Sequence, residues 1–136
     1  MKILALDSST ELCSVALWLD GEMLVRGELA GQRHSELLLP MVQDVLTEAG
    51  LDLRVLDGIA FGEGPGSFTG LRIGCGVAQG LAFGADLPVA GVCTLLALAE
   101  ASGASRVIAC LDARMGEIYH GVYEKIEGEW HTLIAP

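Results

Sequence analysis

Basic residues are scarce in this sequence: eight Lys and Arg stand against eighteen Asp and Glu, a formal net charge of −10 over 136 residues. The eight (Lys2, Arg26, Arg33, Arg54, Arg72, Arg106, Arg114 and Lys125) are scattered singly. A surface that grips a nucleic-acid backbone needs clustered cations to displace counterions, so the composition argues against a stand-alone tRNA or DNA binder. Long apolar runs are missing too. An uncharged stretch as long as any, Ile73 to Ala85, falls short of the ~20 residues that span a bilayer, and Lys2 precedes only a short strand-like run broken at Asp7, which is no secretory signal. Cys13, Cys75, Cys93 and Cys110 lie far apart with no C-x-x-C pair, so they read as reduced core thiols of a cytoplasmic protein. His34, His120 and His131 are isolated, without the spacing of a metal site.

Several catalytic signatures are absent as well. No Gly-Lys-Ser/Thr occurs, which excludes a P-loop, and a dinucleotide fingerprint starting at Gly64 and Gly66 would need glycine where Thr69 stands. The G-x-S-x-G nucleophile elbow is missing, and no residue pattern supplies a base for Ser67, Thr69 or the thiols. What the chain does hold is 51% hydrophobic residues and eighteen glycines. The first is ample for a folded core. The second is about twice the usual share, concentrated between positions 58 and 91.

Hydrophobic patterning predicts strands at Lys2–Asp7, Cys13–Asp20 and Glu22–Leu29, joined by an Asp20-Gly21 hairpin turn. Ser35 is expected to cap a helix carrying Leu38, Met41, Val42, Val45, Leu46 and Ala49 at helical spacing, stopped by Gly50, with Pro40 kinking it or delaying its start. A strand at Asp57–Gly62 leads through Glu63–Thr69 into a helix from about Gly70 to Gly84. A strand at Pro88–Val92 and a helix at Thr94–Ser102 follow. The expected class is α/β: a mixed sheet in the order β-β-β-α-β-α-β-α over residues 1–103. After Gly103, Val107–Asp112 repeats the pattern of Ile3–Asp7, and a strand at Glu117–Tyr123 follows. Residues 104–136 therefore read as the first strands of a second, truncated lobe.

Two glycine-rich features have both structural and functional readings. In the segment Gly62 to Gly74 (GEGPGSFTGLRIG), Pro65 and Gly66 can make a tight turn with Thr69 capping the next helix. The same strand–turn–helix can hold an anion on backbone N–H groups, although Glu63 brings an opposing charge. Asp7, followed by Ser8, Ser9 and Thr10, can hold a phosphate or metal-bound water, or form an ordinary Asx turn. In the helix itself, Gly74, Gly76 and Gly80 together cost about 3 kcal/mol relative to alanine. Gly76, Gly80 and Gly84 share one face, which can let the chain's own sheet or first helix approach closely, or receive a helix from another chain. Leu37, Leu39 and Met41 add apolar surface beyond one sheet-facing stripe, and such an excess marks an interface when exposed.

The segments ILALDSSTELCSVALW (3–18), HSELLLPMVQDVL (34–46), GEGPGSFTGLRIGCGVAQGLAFG (62–84), PVAGVCTL (88–95) and LDARMGEIY (111–119) closely resemble the TsaB family, also called YeaZ. This family is a bacterial member of the Gcp/Kae1-like branch of the actin-like ATPase fold. The resemblance covers essentially the whole chain. It implies duplicated ribonuclease-H-like lobes, and a non-catalytic subunit that binds and activates TsaD, with TsaE, for threonylcarbamoyl transfer to adenosine 37 of tRNA. TsaD-like proteins carry a metal-binding H-x-x-x-H after the strand matching PVAGV, whereas here Thr94 and Leu98 occupy those positions, and neither is a strong metal ligand. No catalytic residue, metal or cofactor of its own is expected, and a nucleotide only at an interface with partner subunits.

The resemblance further implies a helical bundle between the first two helices and those of TsaD, or of a second copy in a homodimer. The expected interface residues are Leu37, Leu38, Met41, Val45, Ile73, Gly76, Val77, Gly80 and Phe83. A chain of net charge −10 fits recruitment by a basic partner, with tRNA engaged only indirectly and no membrane. The alternative is a nucleotide-binding enzyme of the actin or sugar-kinase type, using Asp7, Gly64, Gly66 and Ser67. A peptidase acting on the partner ranks last, for want of any supporting constellation.

Overall fold

A computed structural model describes residues 1–136, with side chains for all except Arg114. Strands β1 (Lys2–Asp7), β2 (Leu12–Leu19) and β3 (Glu22–Leu29) form an antiparallel meander. Asp20 and Gly21 both take positive φ at its second turn, between β2 and β3, the backbone that matches the twist of the flanking strands. The same pattern recurs at Met115-Gly116 and Glu127-Gly128. Helix α1 (His34–Ala49) and a 3-10 turn (Leu53–Val55) lead to β4 (Gly58–Gly64), which pairs parallel with β1. Helix α2 (Phe68–Ala85) crosses to β5 (Val89–Cys93), parallel to β4, and α3 (Thr94–Ala101) follows. The five strands take the order β3-β2-β1-β4-β5, so the mixed α/β lobe has the expected element order.

Alternation along the strands sends Leu4, Leu6, Cys13, Val15, Leu17 and Ile59 toward α1 and α2, which supply Leu38, Val42, Val45, Ala78 and Ala82 to the same core. Strands β6 (Arg106–Arg114), β7 (Glu117–Ile126) and β8 (Glu129–Ile134) make a separate antiparallel sheet. Its core is Leu95 and Ala99 of α3 against Ala109 and Tyr123. Burial, followed by the neighbouring Cys93 thiol, pushes the Tyr123 phenol up to about 12. A polar clamp holds the end of α3: Lys125 Nζ donates to both oxygens of Glu100 at 3.1 and 3.0 Å, and Trp130 Nε1 donates to one of them.

Several local expectations are corrected. Helix α1 starts at His34 with Arg33 as its unassisted N-cap, not at Ser35. A tertiary contact does the anchoring there, the buried His34 ring donating from Nε2 to the Thr10 carbonyl at 2.6 Å. Pro40 lies inside the continuous helix. It and Glu36 are both exposed, so water can take the Glu36 carbonyl that a proline cannot serve. Ser67, not Thr69, caps α2, its hydroxyl accepting from the Gly70 N–H at 3.3 Å. The cysteines are free, but Cys110 is exposed and only Cys13 is fully buried, where burial pushes its thiol pKa up. No helix among the described residues is long and apolar enough to cross a membrane.

Candidate functional site

Helix α2 carries two sets of glycines on two faces, and each set has its own surroundings. The inner set, Gly70 and Gly74, meets the loop after β1, as do Gly62 of β4 and Gly66 just before the helix. A Cβ on Gly62 would sit 2.7 Å from a carboxylate oxygen of Asp7, and one on Gly66 would sit 2.6 Å from the Ser9 carbonyl. On Gly70 it would collide with the Ser8 carbonyl oxygen, and on Gly74 it would come within 2.5 Å of the Ser8 hydroxyl. Hydrogen bonds stitch the same contact: Ser67 N–H donates to the Ser9 carbonyl at 2.7 Å, and the Ser8 hydroxyl donates to the Gly70 carbonyl at 2.6 Å. The loop thus packs backbone to backbone against the helix start, which only glycines permit.

That packing also decides what the loop can bind. Asp7 is half-buried and accepts from the Ser9 N–H at 2.8 Å and from the Ser9 hydroxyl, an Asx-type turn. The N–H groups of Gly64, Ser67 and Gly70 are turned inward, onto Thr94 Oγ1, the Ser9 carbonyl and Ser67 Oγ. The structure brings Asp7, Gly66 and Ser67 together around Ser8 and Ser9, with Gly64 at the end of β4. Thr94 is buried and accepts the Gly64 N–H at 3.2 Å, stitching β4 to the start of α3, while Leu98 is 44% exposed. Among the described residues, no three His, Cys, Asp or Glu side chains gather as a metal-binding set.

The outer set is different. A Cβ on Gly76, Gly80 or Gly84 would meet nothing within 4 Å. Around them Phe83 is 92% exposed, Ile73 and Val77 are half-buried, and Arg72 stacks over Phe68 with its guanidinium 5.3 Å from the ring centroid. A groove of about 330 Å³ runs between Gly80, Leu81 and Gly84 and the 3-10 turn with its Asp52 cap. There Arg54 donates to Asp52 and holds that carboxyl down at about 2. Arg72 is the one charged residue in the eighteen of α2, with Thr69 and Gln79 exposed beside it.

The α1 residues assigned to the interface are corrected. Leu38 and Val45 are fully buried and Met41 nearly so, all within the chain's own core. The spacing that marks them as helical is the spacing of the sheet-facing stripe, which leaves no side chain over for a partner. Leu37 is half-buried and packs against that core. It lies on the helix flank of Glu48, eleven residues on, whose carboxylate pairs with Arg26 of β3. Leu39, about half a turn round from Leu37, is 51% exposed. Its signal in the sequence was a leucine outside the core stripe.

The family model for TsaD, tRNA N6-adenosine threonylcarbamoyltransferase, matches residues 25–136. The tRNA threonylcarbamoyladenosine biosynthesis protein TsaB of Escherichia coli (strain K12) is 53% identical over 136 aligned residues, covering 96% of this chain and 59% of that protein. A solved structure of YeaZ from Pseudomonas aeruginosa superposes with a TM-score of 0.90 at 50% identity, over 96% of this chain and 63% of that one. This chain thus spans about three-fifths of the length of these relatives. The ethanolamine utilization protein EutJ from Carboxydothermus hydrogenoformans, 15% identical with a TM-score of 0.55 over 99% of this chain and 52% of its own, shares the fold alone. The lobe is of the actin-like, ribonuclease-H-like kind, and by the match from residue 25 to the last residue the chain belongs to the TsaD family, on its TsaB (YeaZ) branch.

Proposed function

We propose that this chain is a non-catalytic subunit that binds and activates TsaD, together with TsaE, for threonylcarbamoyl transfer to adenosine 37 of tRNA. The observation that carries this reading is the outer face of α2. Its three glycines have no neighbours and Phe83 stands in solvent. Each interior glycine costs roughly 1 kcal/mol against alanine, and nothing within the chain offsets that cost on this face. A partner helix resting on the bare backbone would do so through close van der Waals contact.

Non-catalytic status is supported by Thr94 and Leu98, which stand where TsaD-like proteins place metal-binding histidines; Thr94 is also committed to the Gly64 N–H. In this reading the subunit carries no cofactor of its own, and a nucleotide would bind only at a junction with partner subunits. Residues 104–136 are read as the opening strands of a second lobe. The subunit works in the cytoplasm, pairs with itself when TsaD is absent, and meets tRNA only through its partners.

The test is sedimentation of the chain with TsaD, comparing Gly80→Leu with the unaltered protein. Loss of the complex with an unchanged circular dichroism spectrum is expected, because a side chain at position 80 has free space inside the subunit but not beneath a docked helix. Full retention of the complex by Gly80→Leu would sink the proposal.

A further inference from the structure

The charges toward the two ends of α2 have no ionic partner within the chain. Arg72 is exposed and stacks over the Phe68 ring, and Asp86, the exposed cap that follows Ala85, carries the next charge along the sequence. Neither forms an ion pair among the described residues. They stand fourteen residues apart, about 21 Å along a helix, too far to pair with each other across a Debye length of about 10 Å. Gln79 is exposed midway, seven residues from each, and a spacing of seven keeps all three on one side of the helix, drifting by about 20° per step. Phe83, 92% exposed and four residues past Gln79, lies on the same side. The second sheet packs on α3, whereas α2 packs on α1, β1, β4 and β5, so this face belongs to a different layer from the last strands.

The order cation, amide, anion is complementary to its own reverse. An antiparallel copy of α2, related by a two-fold axis at Gln79, sets Arg72 opposite Asp86 of the second copy and Asp86 opposite its Arg72. Gln79 then meets its own equivalent, and an amide carries both the donors and the acceptor such a meeting needs. Because the axis makes the contact isologous, each ion pair occurs twice. The same register brings Phe83 down beside Gly76 of the second copy, where no Cβ and no neighbouring atom stands in the way of the ring. A parallel copy would instead set like charges side by side, which repels. We propose that α2 pairs antiparallel with α2 of a second copy of this chain about Gln79, with Arg72 and Asp86 fixing the register. The pairing rests on the reading of the outer face of α2 as an interface, and adds which residues meet across it.

Sedimentation equilibrium of the chain alone tests the register. Arg72→Asp sets like charges together at both contacts and should weaken self-association about tenfold. Asp86→Asn removes one charge while keeping a residue type that tolerates the left-handed backbone there (φ 56°), and should weaken it about threefold. Combining Arg72→Asp with Asp86→Arg restores opposite charges across the axis and should recover association to within about threefold of the unaltered chain. Added salt should weaken pairing of the unaltered chain and strengthen that of Arg72→Asp. Unchanged circular dichroism spectra in these variants assign the losses to the contact. The proposal is overturned if Arg72→Asp associates as the unaltered chain does, if the exchanged pair folds yet stays as weak as Arg72→Asp, or if the unaltered chain is monomeric at millimolar concentration. Those results would leave the TsaD reading standing, which falls only if Gly80→Leu retains that complex.

Discussion

The two glycine faces of α2 differ in what lies opposite them. Gly70 and Gly74 face the Ser8 backbone and hydroxyl, at distances that no side chain tolerates. Gly76, Gly80 and Gly84 face open space on the same helix. One set is explained by the fold of the chain itself and the other is not. A glycine is thus ambiguous until its missing Cβ is placed, and the same residue type serves interior packing in one turn and surface availability in the next.

The contrast can be broken most forcefully at Gly70. Gly70→Ala drives a methyl group into the Ser8 carbonyl, and because the obstacle is backbone the expected destabilisation is about 3 kcal/mol or more, read from urea denaturation. The opposite behaviour is expected at the outer face. Phe83→Ala should weaken association with TsaD by about 2 kcal/mol, since exposed aromatic residues anchor helix interfaces, and calorimetric titration gives the value. The stability of the isolated chain should move by no more than about 0.5 kcal/mol in that variant. Gly76→Ala sharpens the comparison further. With no neighbour to strike, it should stabilise the isolated chain by roughly 1 kcal/mol, and a loss of stability would mean that this face is packed after all.

The smallest effect concerns the end of α3, where Glu100 is held by charge. Hydrogen bonds from Lys125, then from Trp130, lower the Glu100 pKa below its ordinary 4.5. A carboxylate depressed on folding contributes stability that is present above its unfolded pKa and lost as pH falls through its folded one. The clamp should therefore hold near neutral pH and release in the acid range below 4.5. Glu100→Gln should flatten the slope of stability against pH there, by a small amount because the group is exposed. Thermal melts of both proteins across that window check it.

Much of the fold was legible before the structure. Strands β1 and β3 lie where alternation places them, and Gly50 stops α1 with a positive φ. Misreadings came where a distant contact overrode a local preference. Helix α1 starts at His34, two residues earlier than a Ser35 cap would set it, because Thr10 holds the His34 ring. Strand β4 runs on to Gly64 because a bulge keeps it paired with β5. The site was half legible: the bare stripe of α2 could be seen, while Leu38 and Val45 were misassigned because a heptad-like pattern does not say which apolar residues the chain's own sheet will consume.

By itself the sequence determined the element order, the hairpin turns, the acidic balance and the kinship of the chain, because these follow from local periodicity, turn chemistry and residue identity. Only the tertiary structure decided which glycines touch the chain and which stand open, and that Leu38 is consumed by the core while Leu39 is exposed. Each of these depends on atoms far apart along the chain, and no local pattern encodes the distance between them.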